Sequence, residues 1–130
     1  MPSIFTRIIN GEIPCHKLFE DDHCIAFLDI RPINPGHALV IPKQETDYIF
    51  DLPDATLQHL IVIAKQLGLA IDRSVTCERV GLIVAGLEVP HAHIHLVPIQ
   101  DVGDINFSKA RPAEEADLAS LADRIRSQLA

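Results

Sequence analysis

Up to residue 42 the apolar positions come in short runs, and after residue 53 they recur at helical spacing. Ser3–Ile9 predicts a short helix, capped by Ser3 and ended by Asn10 and Gly11. Lys17–Glu20 and Cys24–Leu28 predict two strands joined around the turn pair Asp21 and Asp22. Arg31–Gly36, with two prolines and a glycine, is a turn-rich connection. It leads into a third strand, His37–Ile41, closed by Pro42. Asp54–Asp72 predicts the main helix, with Leu57, Leu60, Ile61, Ala64, Leu67 and Ile71 as its buried stripe. Val80–Ala85 and His93–Pro98 predict two more strands, separated by a short link from Gly86 to Pro90.

A last helix, about Ala113–Leu129, follows Pro112 and aligns Leu118, Leu121, Ala122, Ile125 and Leu129 on one face. Glu114 and Glu115 near its start and Arg124 and Arg126 near its end suit the helix dipole. Strands adjacent in sequence with short links imply an antiparallel sheet, and helices set apart from them imply an α+β layered fold. Gly103–Lys109 is the one candidate linker, which would make the last helix an appendage to the core.

At 130 residues and 14.4 kDa, the chain has the size of one domain. Its 48% hydrophobic and 22% charged content is ordinary for a globular protein. No apolar run reaches the roughly 20 residues of a bilayer span, and no signal peptide is visible at the start. Cys15, Cys24 and Cys77 are odd in number and widely spaced, so a disulfide framework is not expected and a reducing cytoplasm is the natural setting. The net charge of −7, with no Lys/Arg cluster, argues against nucleic-acid binding. Affinity for an anion must therefore come from local donors in a pocket.

The chemistry concentrates in His91-Ala92-His93-Ile94-His95. Along a strand, alternate side chains share a face, so the three imidazoles project together at roughly 6–7 Å intervals. Ala92, Ile94 and Leu96 then face the core. Three structural histidines would need three sets of polar partners. A metal site would need further ligands, such as His37 or Glu88, because one straight strand rarely brings three rings onto one ion. Nucleophilic catalysis needs a central imidazole flanked by two others, and His93 holds that position. Neighbouring imidazoles disfavour each other's charged form, which keeps His93 a nucleophile near neutral pH.

His-Ala-His-Ile-His-Leu-Val resembles the His-x-His-x-His pattern of the histidine-triad (HIT) nucleotide hydrolases and transferases, the Hint-like branch in particular. The likeness extends to Ser3–Pro14, to Phe19–Asp22 with Ile25–Ile30, and to Asn34–Pro42, which carries an upstream fourth histidine, His37. The resemblance implies a HIT-like fold: an antiparallel five-stranded sheet with the main helix packed on it and an additional C-terminal helix. It implies a HIT domain over residues 1–106, with 107–130 as linker and helix. The implied reaction is cleavage of a P–N or P–O bond at the α-phosphate of a purine nucleotide or nucleoside phosphoramidate, through a covalent nucleotidyl-histidine. His93 would be the nucleophile, held by the backbone carbonyl of His91. His95 would contact the phosphate or leaving group, with His37 supporting from the next strand. Asp29 would bind the ribose, and Ile4, Phe5, Ile8, Ile13 and Ile30 would line the base pocket. The resemblance also implies a homodimer and no cofactor.

Two departures alter these expectations. Ser3 and Thr6 stand where many relatives carry the cysteines of a structural zinc site, so no such metal is expected. The link Ala85–Pro90 is short and places Leu87 and Glu88 where relatives carry a glutamine and a hydroxyl residue. Glu88 must point away from a phosphate, be protonated, pair with Lys43 or Arg31, or serve a changed leaving group. The alternatives to phosphoramidate cleavage are hydrolysis of a dinucleoside polyphosphate at the same site and nucleotide binding with weak or no catalysis. His16, His23 and His59 read as isolated surface positions.

Overall fold

The structure is a computed structural model and describes residues 2–129. Helix α1 (Ile4–Ile9) precedes strands β1 (Lys17–Glu20), β2 (Cys24–Leu28) and β3 (Ala38–Pro42). The main helix α2 (Asp54–Ser74), strands β4 (Arg79–Ile83) and β5 (Ile94–Ile99), and helix α3 (Glu115–Gln128) follow. The five strands form one sheet in the order β1-β2-β3-β5-β4, with antiparallel pairing throughout. The α+β architecture, with one helix-backed five-stranded sheet, is therefore the one expected.

Side-chain alternation gives the sheet two differently used faces. Cys24, Ala26, Leu28, Ala38, Val40, Ile94 and Leu96 meet Leu60, Ile63, Ala64, Leu67, Ala70 and Ile71 of α2 in the larger core. Ile25, Phe27, Leu39 and Ile41 face the other way and are covered by Phe5 of α1. Burial on both faces accounts for the continuous apolar runs of β2 and β3.

Ile61 does not join the α2 stripe and is 45% exposed. It lies one residue, about 100° of rotation, past Leu60, while Ile63 and Ala70 complete the i, i+3, i+7 pattern. Segment 107–129 packs back onto the molecule. Leu118, Ala122 and Ile125 join the larger core, and the backbone N–H groups of Arg111 and Ala113 donate to the carbonyls of Pro32 and Ile30. That extended strap delays the start of α3 to Glu115.

The turn into β3 depends on Gly36. Its φ of +100° suits glycine, and a Cβ there would lie 3.0 Å from Pro98 Cγ. Asn34 Nδ2 also donates to the Pro98 carbonyl at 2.8 Å. These contacts fix the residue that precedes His37.

Candidate active site

The three triad histidines do not all lie in a strand. The ladder between β3 and β5 ends at the pair Val40–Ile94, so His91, Ala92 and His93 form its non-strand approach. Ala92, Ile94 and Leu96 face the larger core as expected. The rings separate into two groups: His91 turns beneath α1, while His93 and His95 stand together with ring centroids 4.8 Å apart.

The hydrogen-bond partners dictate each tautomer, because a carbonyl can only accept. His93 Nδ1 lies 2.7 Å from the His91 carbonyl and donates to it, which leaves the lone pair on Nε2. His91 Nε2 donates to the Pro42 carbonyl at 2.8 Å, so its Nδ1 accepts from the Ser3 hydroxyl, also at 2.8 Å. His37 Nδ1 accepts the Ile33 N–H at 3.0 Å, which puts its proton on Nε2. That proton is donated to His95 Nδ1 at 2.9 Å, and His95 therefore carries its own proton on Nε2. Two nitrogens remain uncommitted: a lone pair on His93 and an N–H on His95.

Burial keeps the supporting rings neutral. His37 is pushed down to about 4 by desolvation. His95 is pushed down to about 3 by desolvation and, secondarily, by the neighbouring His37 and His93. Burial also lowers His91. The aromatic surroundings contribute to this dryness. Phe5 meets His93 edge-on at 5.0 Å, and Phe107, in a 3-10 turn (Phe107–Lys109), lies 4.7 Å from His95 and 6.4 Å from His37. Phe107 sits in the stretch read from sequence as a linker; a lone aromatic among polar residues was the available signal.

Asp29 leaves the end of β2 half-buried. Its Oδ1 accepts the Arg31 N–H at 2.9 Å, and its Oδ2 stands 3.6 Å from His37 Nε2. Desolvation raises its carboxyl above the usual range. Asp29, His37 and His95 present ligand atoms close enough to hold a metal ion, and the hydrogen bonds above already occupy both His37 nitrogens and His95 Nδ1.

Of the expected base-pocket residues, Phe5 is buried against the histidines and Ile8 packs on the same cluster. Ile13 is half-buried, whereas Ile4 and Ile30 are 49% and 61% exposed. Glu88 is exposed in the β4–β5 loop, and among the described residues it forms no ion pair with Lys43 or Arg31. Lys43 instead pairs with Glu20 at 2.9 Å. His16 and His59 are also partnered, by Glu115 at 2.8 Å and Asp21 at 2.6 Å.

The HIT domain family matches residues 10–102. An adenosine 5′-monophosphoramidase of Saccharomyces cerevisiae is 41% identical over 120 residues, covering 91% of this chain and 75% of that protein. An uncharacterised HIT-like protein of Methanocaldococcus jannaschii is 38% identical over 130 residues, covering 95% of this chain and 98% of that one. Among solved structures, a Hit-like protein from Bartonella henselae superposes with a TM-score of 0.87 at 30% identity, covering 98% of this chain and 96% of its own.

Proposed function

This chain belongs to the HIT family, and from that premise we propose that it hydrolyses a nucleotide at its α-phosphate through a covalent intermediate on His93. The observation that carries this reading is the 2.7 Å bond from His93 Nδ1–H to the His91 carbonyl, which commits the Nε2 lone pair to attack.

The attacking lone pair forms an N–P bond, and the P–X bond breaks with its electron pair leaving on X. Joined to phosphorus at Nε2, the ring still holds its Nδ1 proton and becomes cationic, and the His91 carbonyl stabilises that charge. Water then attacks phosphorus, the N–P electrons return to Nε2, and a nucleoside monophosphate and one proton leave. His95 and His37 are both neutral. His95 Nε2–H accordingly acts as a hydrogen-bond donor to a phosphate or leaving-group oxygen, and it does not supply a full proton. X must arrive protonated. Nitrogen takes up a proton more readily than a bridging oxygen, so the neutral pair favours P–N over P–O substrates. The phosphoramidase relative supports the same substrate class. Asp29 holds the ribose, and Phe5, Ile8, Ile4, Ile13 and Ile30 receive the base.

Adenosine 5′-phosphoramidate should be turned over by the wild type and not by His93→Ala, and rapid-quench intact mass should find a nucleotidyl adduct mapping to His93. Undiminished turnover by His93→Ala would exclude the mechanism. Faster cleavage of a dinucleoside tetraphosphate than of the phosphoramidate would favour the P–O reading.

Two copies of the chain pair across β4. This strand is an edge of the sheet, and it and the following loop expose Leu82, Val84 and Leu87. Leu69 of α2 extends this apolar surface beside Leu82. Sedimentation velocity should give a dimer at micromolar concentration and a monomer for Leu82→Asp. A monomeric wild type would remove the dimer.

A further inference from the structure

We propose that Ser3, Thr6 and Glu45 are positioning residues: a hydrogen-bonded latch that holds the His91 ring and, through its carbonyl, orients the His93 nucleophile. The inference rests on the reading of His93 as nucleophile and adds three residues to it, two from α1 or its cap and one from the loop after β3.

The need for a latch follows from where the sheet stops. His91–His93 lie beyond the last β3–β5 ladder pair, Val40–Ile94. Their only long-range main-chain bond among the described residues runs from the Ala92 N–H to the Thr46 carbonyl, at 2.7 Å. The orientation of the carbonyl that holds His93 Nδ1 therefore depends on the His91 side chain. That ring is fully buried and clamped at both nitrogens, by Pro42 on one side and Ser3 on the other.

Ser3 is itself held. Its Oγ caps α1 by accepting the Thr6 N–H at 3.0 Å, and it still donates its hydroxyl proton to His91 Nδ1. Glu45 Oε1 accepts both the Ser3 N–H at 2.7 Å and the Thr6 hydroxyl at 2.6 Å. Thr6 Oγ1 also approaches His91 Nδ1 at 3.4 Å, but its proton is committed to Glu45. Every donor has an acceptor, and the direction of each bond follows from the two that can run only one way, the carbonyl at Pro42 and the carboxylate at Glu45. Side-chain hydroxyls and one carboxylate thus do for residues 91–93 what a strand ladder does for residues 94–99.

Removing the Ser3 hydroxyl leaves His91 Nδ1 buried without a donor, frees the ring to turn and shifts the carbonyl under His93. The consequence falls on the chemical step. Ser3→Ala should lower kcat for adenosine 5′-phosphoramidate on the order of ten- to a hundredfold, as sub-ångström misplacement of a reacting group does, with KM little changed. Ser3→Thr keeps the hydroxyl and should recover most of the rate. Ser3→Asp keeps a helix cap but has no proton to donate, so a mere capping role predicts normal kcat and the latch predicts loss. Glu45→Ala, at an exposed position, should lower kcat in the same direction with the melting temperature little changed, and its effect should be non-additive with Ser3→Ala. Long-range ¹H–¹⁵N spectra of the histidine rings provide a readout independent of turnover. Wild type should show His91 protonated at Nε2 and His93 at Nδ1. In Ser3→Ala the Pro42 carbonyl still holds the His91 Nε2 proton, but the His91 Nδ1 signal should move as its donor is lost and His93 should lose its single tautomer. Unchanged kcat and unchanged tautomers in folded Ser3→Ala, with His93→Ala inactive, would overturn the latch and leave the nucleophile standing. Full activity in His93→Ala would instead overturn the nucleophile, and the ring spectra would still decide whether Ser3 holds His91.

Discussion

Two histidines buried as neutral rings make the stability of this protein steeply pH-dependent. His37 and His95 fall from the ordinary 6.5 to about 4 and about 3 in the folded state, while the unfolded chain titrates near the ordinary value. Below pH 6.5 the unfolded state therefore binds up to two more protons than the native state, and stability rises with pH by up to about 3 kcal/mol per unit. The stabilisation is fully present above 6.5 and is lost as pH falls toward the two folded values. Between pH 8 and pH 5 each ring accounts for about 2 kcal/mol, so the pair accounts for about 4 kcal/mol, a large share of a typical domain's stability. Asp29, raised by burial, acts with the opposite sign and softens the loss at the acid end. Urea denaturation at pH 5, 6, 7 and 8 should be compared between wild type and the double variant His37→Gln/His95→Asn. The variant's absolute stability is irrelevant; its curve should be flatter by about 4 kcal/mol over that span. Parallel curves would mean that these rings are hydrated and charged in the native state, and the neutral donor role of His95 would fail with them.

Phe107→Ala should admit water to both rings, and NMR titration should show the His95 and His37 midpoints moving up toward 6.5; unmoved midpoints would remove Phe107 as their shield. Ile125→Ala, at a fully buried α3 position, should destabilise the whole protein by about 2–5 kcal/mol in a single urea transition, whereas a separate early transition would mark α3 as an independent unit. Gly36→Ala combines a positive φ with a 3.0 Å approach to Pro98 Cγ and should destabilise by more than about 1 kcal/mol, read as a lower melting temperature; an unchanged melting temperature would show that the turn yields.

Much of the fold is legible because β2 and β3 bury both faces and the two long helices each carry one apolar stripe. The burial of Ala92, Ile94 and Leu96 follows directly from alternation around the histidines. The Ser3 cap was also readable, and it forms the expected bond to the Thr6 N–H. The fate of His91 was not readable, since alternation predicts a shared face and says nothing of where a strand begins. Glu45, in the polar run Lys43-Gln44-Glu45-Thr46, has the local pattern of a solvated loop. Only its distance from Ser3 in space, across 42 positions of sequence, gives it a partner. Ile61 stands a single step of helix rotation outside the buried stripe, and an isolated stripe of isoleucines and leucines offers no reference point for that step.

His93 touches Phe5 of α1, and its neighbour His95 leans on Phe107 of the 3-10 turn, far along the chain from Phe5. Competence therefore arrives late in maturation. During synthesis the proposed centre cannot be complete when β2 and β3 first pair, because His91–His95 and then Phe107 must still emerge before the second aromatic wall exists. Turnover by the proposed centre should thus report completed folding, and Phe5→Ala or Phe107→Ala should lower it while the sheet survives.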